Sequence, residues 1–196
     1  QHLPGDDEVD LLIVDELFVG NKLVAGEIRS TDGTAIDLRN IRAPILVFCS
    51  KGDNITPPQQ ALDWVLDLYD SVDEIRALGQ TIVYTVHEKI GHLGIFVSGG
   101  VARKEHDEFA SNIDLIDLLP PGLYEAVLEP KDKVENPDLV TGEWVMRCEA
   151  RTLDDIRALG CNPPEDERRF ATAARLSEVN LALYRSFAQP FIRAMM

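Results

Sequence analysis

Two residues stand where chemistry is done. Asp53 lies in the loop KGDNITPP, just after the apolar run Ile45–Cys49. His92 lies in the loop EKIGHLG, just after the run Thr81–Val86. A loop aspartate can orient a histidine and stabilise its protonated form. A histidine held in this way can take a proton from a nucleophile and return it to a leaving group. Each residue alone has a plainer reading. Asp53 suits a helix cap or an Asx turn with Ile55 or Thr56, and His92 a solvated loop. The pair, each member past the end of a strand and the acid first in the chain, tips the balance towards function. His87 is the rival base, nearer the strand end. His106 lies within KEHDE, on a charged helix face, and His2 at a terminus.

The elements that must position the pair follow from the apolar pattern. Short runs rich in Val and Ile read as buried strands. Two of them joined by a helix make a βαβ unit with parallel strands. In open α/β sheets functional groups gather at the carboxyl ends of the strands, so the loops of Asp53 and His92 are expected to meet. An acid followed by a histidine is the order of α/β-hydrolases, whose nucleophile comes earlier in the chain. No GxSxG or GxCxG elbow occurs here. Ser98 follows the histidine, and Cys49 sits inside an apolar strand, where a cysteine is usually a small hydrophobe. Cys148 and Cys161 have no histidine beside them. The nucleophile is therefore expected upstream of Gln1. Both ends of the sequence read as cut from a longer protein.

Around this centre, residues 7–25 read as a helix with acids at its front. Asp32–Gly33 marks a short hairpin or extended arm. Thr56 is expected to cap a helix that opens on Pro57 and Pro58. A further helical turn, Asp73–Leu78, stops at Gly79. Residues 101–119 read as one amphipathic helix and Leu123–Leu128 as a shorter one. The charged, Pro-rich stretch 129–142 reads as a linker. The expected division is thus 1–128 for a catalytic-type domain, 129–142 for the linker and 143–196 for a mainly helical module. That module has a possible strand at 143–150, a helix at Asp154–Leu159 and a long helix to about Ile192, kinked at Pro190. No internal repeat is expected.

Composition narrows the function class. Net charge is −15, from 34 acidic and 19 basic residues, with no Lys/Arg cluster to neutralise phosphates; nucleic acid is excluded as a partner and an anionic membrane surface disfavoured. No apolar run is long enough to span a bilayer. Three widely spaced cysteines give neither a disulfide framework nor a metal pattern. A reducing cytoplasm suits that usage. No cofactor and no metal are expected. An uncovered sheet edge in such a fragment predicts self-association.

Residues 21–65, NKLVAGEIRSTDGTAIDLRNIRAPILVFCSKGDNITPPQQALDWV, resemble polyhydroxyalkanoate synthases. The resemblance runs through Asn21–Val24, the arm ending Ile36–Asp37–Leu38, Ile41–Pro44, the loop Asp53–Ile55–Pro57 and the triplet Gly91–His92–Leu93. It covers about residues 10–100 and is nearest to uncharacterised bacterial poly(3-hydroxyalkanoate) synthetase-like proteins. It implies the C-terminal part of an α/β-hydrolase fold, followed by a mostly helical appendage. It also implies a catalytic set of cysteine, Asp53 and His92, and a hydroxyacyl thioester or ester as substrate. The spacer between Asp53 and His92 is longer than the family's, by a helix around Ser71–Leu78. An esterase or depolymerase on the same scaffold would keep both residues, and a non-catalytic interaction module is the third reading.

Overall fold

A computed structural model of the chain describes residues 22–101, 105–133, 143–160 and 164–195. The residues that carry the chemistry hang from a four-stranded sheet. Its strands are β1 (Ile45–Ser50), β2 (Thr81–His87), β3 (Gly122–Pro130) and β4 (Trp144–Ala150), in the spatial order β1-β2-β3-β4. The first three are parallel and β4 runs antiparallel to β3, so the class is mixed α/β. The βαβ expectation holds for β1 and β2, which are joined by α1 (Pro58–Leu68) and α2 (Val72–Ala77). Five successive residues of β2, Thr81–Thr85, are buried, as a central parallel strand covered on both faces must be. On one face Val83 and Ala126 pack with Phe109 and Ile116. These come from α5 (Asp107–Ser111) and α6 (Ile113–Asp117), which follow the short turns α3 (Gly94–Val97) and α4 (Gly99–Val101). Among the described residues β1 pairs only with β2 and is an edge strand.

Several expectations change. Leu123–Leu128 is not a helix but the middle of β3. Leu, Glu and Ala are good helix formers, but propensity is a small term, and a vacant pairing position beside buried β2 outweighs it. The boundary expected at 129–142 does not divide the chain into units. β3 runs to Pro130, and β4 pairs with it from Tyr124↔Ala150 to Pro130↔Trp144, so strands on either side of the charged stretch belong to one sheet. One compact unit spans Asp37–Cys161, and the flanking residues fall in a second. The helix expected over 101–119 breaks at Asn112 between α5 and α6. Most of the helix expected over 7–25 lies outside the described residues.

A short repeat is present after all. Ser71–Gly79 reads SVDEIRALG and Thr152–Gly160 reads TLDDIRALG. The two copies fold alike, as α2 and as α7 (Leu153–Ala158). Glu74 and Asp155 each reach back to a backbone amide, of Asp70 at 2.9 Å and of Thr152 at 2.7 Å. Ile75 and Ile156 are both fully buried. Arg76 bridges Asp73 and Arg157 bridges Asp154, each at 2.7 Å. Gly79 and Gly160 end the copies at φ +70° and +117°, a conformation that glycine adopts without penalty.

In the second unit an antiparallel bridge joins Arg29 to Ala35 across Asp32–Gly33, the expected hairpin in its shortest form. The long helix is α8 (Pro164–Leu183), and α9 (Gln189–Met195) continues it. Between them Tyr184–Ala188 forms a π-turn closed by the Gln189 amide on the Tyr184 carbonyl. Pro190 lacks an amide hydrogen, and its ring would strike the carbonyl four residues back; the wider turn takes up the misfit. Among the described residues no helix is long and apolar enough to cross a membrane.

Candidate active site

The register Ser50↔His87 brings the carboxyl ends of β1 and β2 level, so their loops leave the sheet side by side. Lys51, Ser50 and Gly52 then join the loops. The Lys51 amide donates to the His87 carbonyl at 2.9 Å. The Ser50 hydroxyl, fully buried, lies 2.7 Å from the Ile90 carbonyl and 3.0 Å from that of His87, and accepts the Gly52 amide at 3.1 Å. Gly52 itself leaves no room for a side chain: a Cβ there would fall 2.4 Å from the carbonyl carbon of Lys89 and 2.5 Å from its oxygen. An exposed Lys51–Glu88 ion pair of 2.8 Å spans the same loops, where it adds little.

This docking delivers His92 to Asp53. The His92 Nδ1 lies 2.9 Å from the Oδ2 of Asp53. Asp53 is buried, while about a third of the His92 side chain is exposed. The other carboxylate oxygen, Oδ1, accepts the amides of Ile55 and Thr56 at 2.9 Å each. The Asx turn and the histidine contact, read from the sequence as alternatives, therefore occur together, one on each oxygen. Thr56 does not cap the helix; Pro57 holds the cap position and Pro58 opens α1. The Thr56 hydroxyl instead donates to Asp53 Oδ2 at 2.7 Å and lies 3.1 Å from His92 Nδ1.

Burial opposes the charged form of Asp53. The Thr56 amide and hydroxyl, the His92 ring and the Ile55 amide outweigh it, holding the carboxyl well below the usual carboxylate range. An ionised carboxylate only accepts hydrogen bonds, so the proton on this edge of the ring sits on His92 Nδ1. The neutral imidazole then presents a lone pair at Nε2. That is the tautomer a general base needs.

The other candidates are placed differently. His87 Nδ1 accepts the amides of Lys89 and Ile90, both at 3.1 Å. Its Nε2, which faces the buried Glu105 at 3.8 Å, then carries the proton of the neutral ring, so neither nitrogen offers a free lone pair. His106 is exposed and meets the Phe48 ring edge-on, with centroids 6.1 Å apart. His2 and Cys161 lie outside the described residues. The Cys49 thiol is buried, donates to the Thr85 carbonyl at 3.4 Å, and is pushed up by burial to about 12. Burial also raises the Cys148 thiol. Among the described residues only Asp53 and Thr56 hydrogen-bond the His92 ring, and none forms a group of three or more His, Cys, Asp or Glu able to hold a metal. Ile55, Leu93 and Val97, all within five residues of the pair, are exposed by 61%, 71% and 78%. The sequence assigns Ser50 and Gly52 no part in the site, and assigns Thr56 a helix cap or an Asx turn rather than a hydroxyl on the Asp53 carboxylate. The available signal was two small residues, Ser50 and Gly52, where the strand gives way to the loop of Asp53.

A family model described as a protein of unknown function, DUF3141, matches residues 3–196. The chain is 80% identical over 195 residues to an uncharacterised protein in the ackA 5′ region of Rhizobium meliloti. That alignment takes in 99% of this chain and 27% of the relative, so the chain spans about a quarter of the relative's length. No solved structure matches.

Proposed function

The chain belongs to the DUF3141 family of proteins of unknown function, and we propose that it supplies the acid and base of a nucleophile–His–Asp triad in an acyl-transferring enzyme of α/β-hydrolase type. In this reading His92 is the general base and acid, and Asp53 orients it and stabilises the imidazolium. The single observation that carries the proposal is the 2.9 Å contact between the ring and a buried, ionised carboxylate at adjacent strand ends.

The reaction follows from the tautomer. Nε2 removes the proton of a nucleophile as that atom attacks an ester or thioester carbonyl. The tetrahedral intermediate collapses to an acyl-enzyme, and the imidazolium gives its proton to the departing alcohol or thiol. An acceptor hydroxyl or water then enters by the reverse sequence. The nucleophile is proposed to come from the part of the longer protein that this chain does not include, given the relative's length. The exposed Ile55, Leu93 and Val97 suit an apolar acyl chain passing the pair. The resemblance to polyhydroxyalkanoate synthases adds a hydroxyacyl thioester as the substrate class.

The test uses the full-length protein. It is incubated with a 3-hydroxyacyl-coenzyme A and free thiol is followed, beside His92→Ala and Asp53→Ala. Thiol release abolished by both substitutions supports acyl transfer. Cleavage of a simple ester without thiol release moves the activity to an esterase. Turnover that survives both substitutions removes the pair from catalysis.

A further inference from the structure

We propose that His87 is a positioning residue for His92: its Nδ1 accepts the amides of Lys89 and Ile90, and this shapes the loop that carries His92 to Asp53. The consequence for catalysis rests on the reading of His92 as the base. The geometry has a counterpart in the neighbouring loop. Asp53 Oδ1 accepts the amides of the residues two and three positions later, Ile55 and Thr56. His87 Nδ1 accepts the amides two and three positions later, Lys89 and Ile90. Oδ1 of an aspartate and Nδ1 of a histidine are both bonded to Cγ, so each reaches the same amides from its own backbone. Both strands thus end in one kind of turn, an Asx turn after β1 and an imidazole version of it after β2.

Two results follow. A nitrogen that accepts two amide hydrogens carries no proton itself, so neutral His87 is protonated at Nε2, on the side of Glu105. His92 is protonated at Nδ1, by the argument from Asp53. The two histidines hold opposite tautomers, five residues apart. Further, the backbone that His87 organises is the surface on which the first loop docks. Ser50 reaches the Ile90 carbonyl at 2.7 Å, and Gly52 abuts Lys89 and Ile90 without space for a methyl group. His92 follows Ile90 by two residues. A turn that opens at Lys89–Ile90 moves His92 away from Asp53 while leaving both side chains intact.

The experiment separates the two ring nitrogens of His87. Asparagine places an oxygen where Nδ1 was; glutamine places its amide one bond further out, nearer Nε2. The full-length protein is labelled with ¹⁵N in its histidines, and the ring tautomers of His87 and His92 are read by NMR in the unsubstituted protein and in His87→Ala, His87→Asn and His87→Gln. His92 is expected as the Nδ1–H form in the unsubstituted protein and in His87→Asn, and as a tautomer mixture in His87→Ala and His87→Gln. In the full-length protein, kcat for acyl transfer is expected to fall about 10²-fold in His87→Ala, as for a roughly 1 Å misplacement of a catalytic group. KM should hold, and His87→Asn should recover the rate. An unchanged His92 tautomer in His87→Ala overturns the proposal, as does rescue by Gln equal to that by Asn. If His87→Ala does not fold, the comparison of Asn with Gln decides alone. The tautomer readout needs no turnover. A full-length protein that is inactive on every acyl substrate but shows these tautomers would remove the catalytic reading and leave the positioning role standing.

Discussion

His92 Nδ1 lies 2.9 Å from Asp53 Oδ2, although 39 residues of chain separate them. The same carboxylate holds its own loop through Oδ1. One buried side chain thus fixes both the loop it stands on and the ring it faces, and the two jobs can be taken apart by substitution.

Asp53→Asn is expected to keep the loop and lose the histidine. The amide oxygen must stay at the Oδ1 position, because only it can accept from Ile55 and Thr56. The amide NH₂ then faces His92 Nδ1 and forces the ring into its Nε2–H form. Activity of the full-length protein should fall by about 10⁴-fold, while the denaturation midpoint should fall less than in Asp53→Ala. Asp53→Ala should lower both.

Gly52→Ala probes the docking of the two loops. The new methyl would meet backbone at 2.4 Å, and backbone cannot rotate aside as a side chain can. A cost of ~1–3 kcal/mol is expected from the forced overlap, read as a lower urea midpoint at unchanged m. Equal stability would show that the loops can part without penalty. Ser50→Ala, which deletes contacts without adding bulk, should be milder.

Asp53 also sets a pH dependence. Its folded carboxyl titrates below the ordinary carboxylate range. The stabilisation it brings is complete above the unfolded value, roughly pH 4, and is lost as pH falls through the depressed folded value. The acid limb of the stability curve should therefore be shallower in Asp53→Asn than in the unsubstituted protein, as measured by urea unfolding between pH 5 and pH 2.

Cys49 gives the opposite sign. Burial lifts its thiol to about 12, so the unfolded thiol ionises first. The stabilisation is complete below roughly pH 8.5, the unfolded value, and is lost as pH rises towards the folded one. At neutral pH Cys49 should not react with a disulfide reagent until the protein is unfolded, whereas a fast native-state reaction mapped to Cys49 would contradict its burial.

The two repeat copies allow a matched pair of substitutions. Ile75 and Ile156 occupy the same place in SVDEIRALG and TLDDIRALG, and both are fully buried. Ile75→Ala and Ile156→Ala should each cost ~2–5 kcal/mol, by similar amounts. A much smaller loss at Ile156 would place α7 outside the cooperative core.

The sequence by itself determined the elements whose signal is local. The Val- and Ile-rich runs made β1 and β2, Gly79 and Gly160 ended their helices, and Pro190 disturbed the last helix. It also singled out Asp53 and His92, because a polar loop after a buried strand can be read without knowing its neighbours. What only the tertiary structure decided depends on partners distant in the chain. Leu123–Leu128 became a strand because β2 offered a pairing edge, and β4 joined the same sheet across a stretch that reads as a linker. Asp53 could be read as making an Asx turn or meeting a histidine, and only the register of β1 on β2 let one carboxylate do both. His87 read as a rival base for the same reason. Its side chain is identical in kind to that of His92, and which nitrogen meets a backbone amide and which meets a carboxylate is settled by the fold of the loops around them.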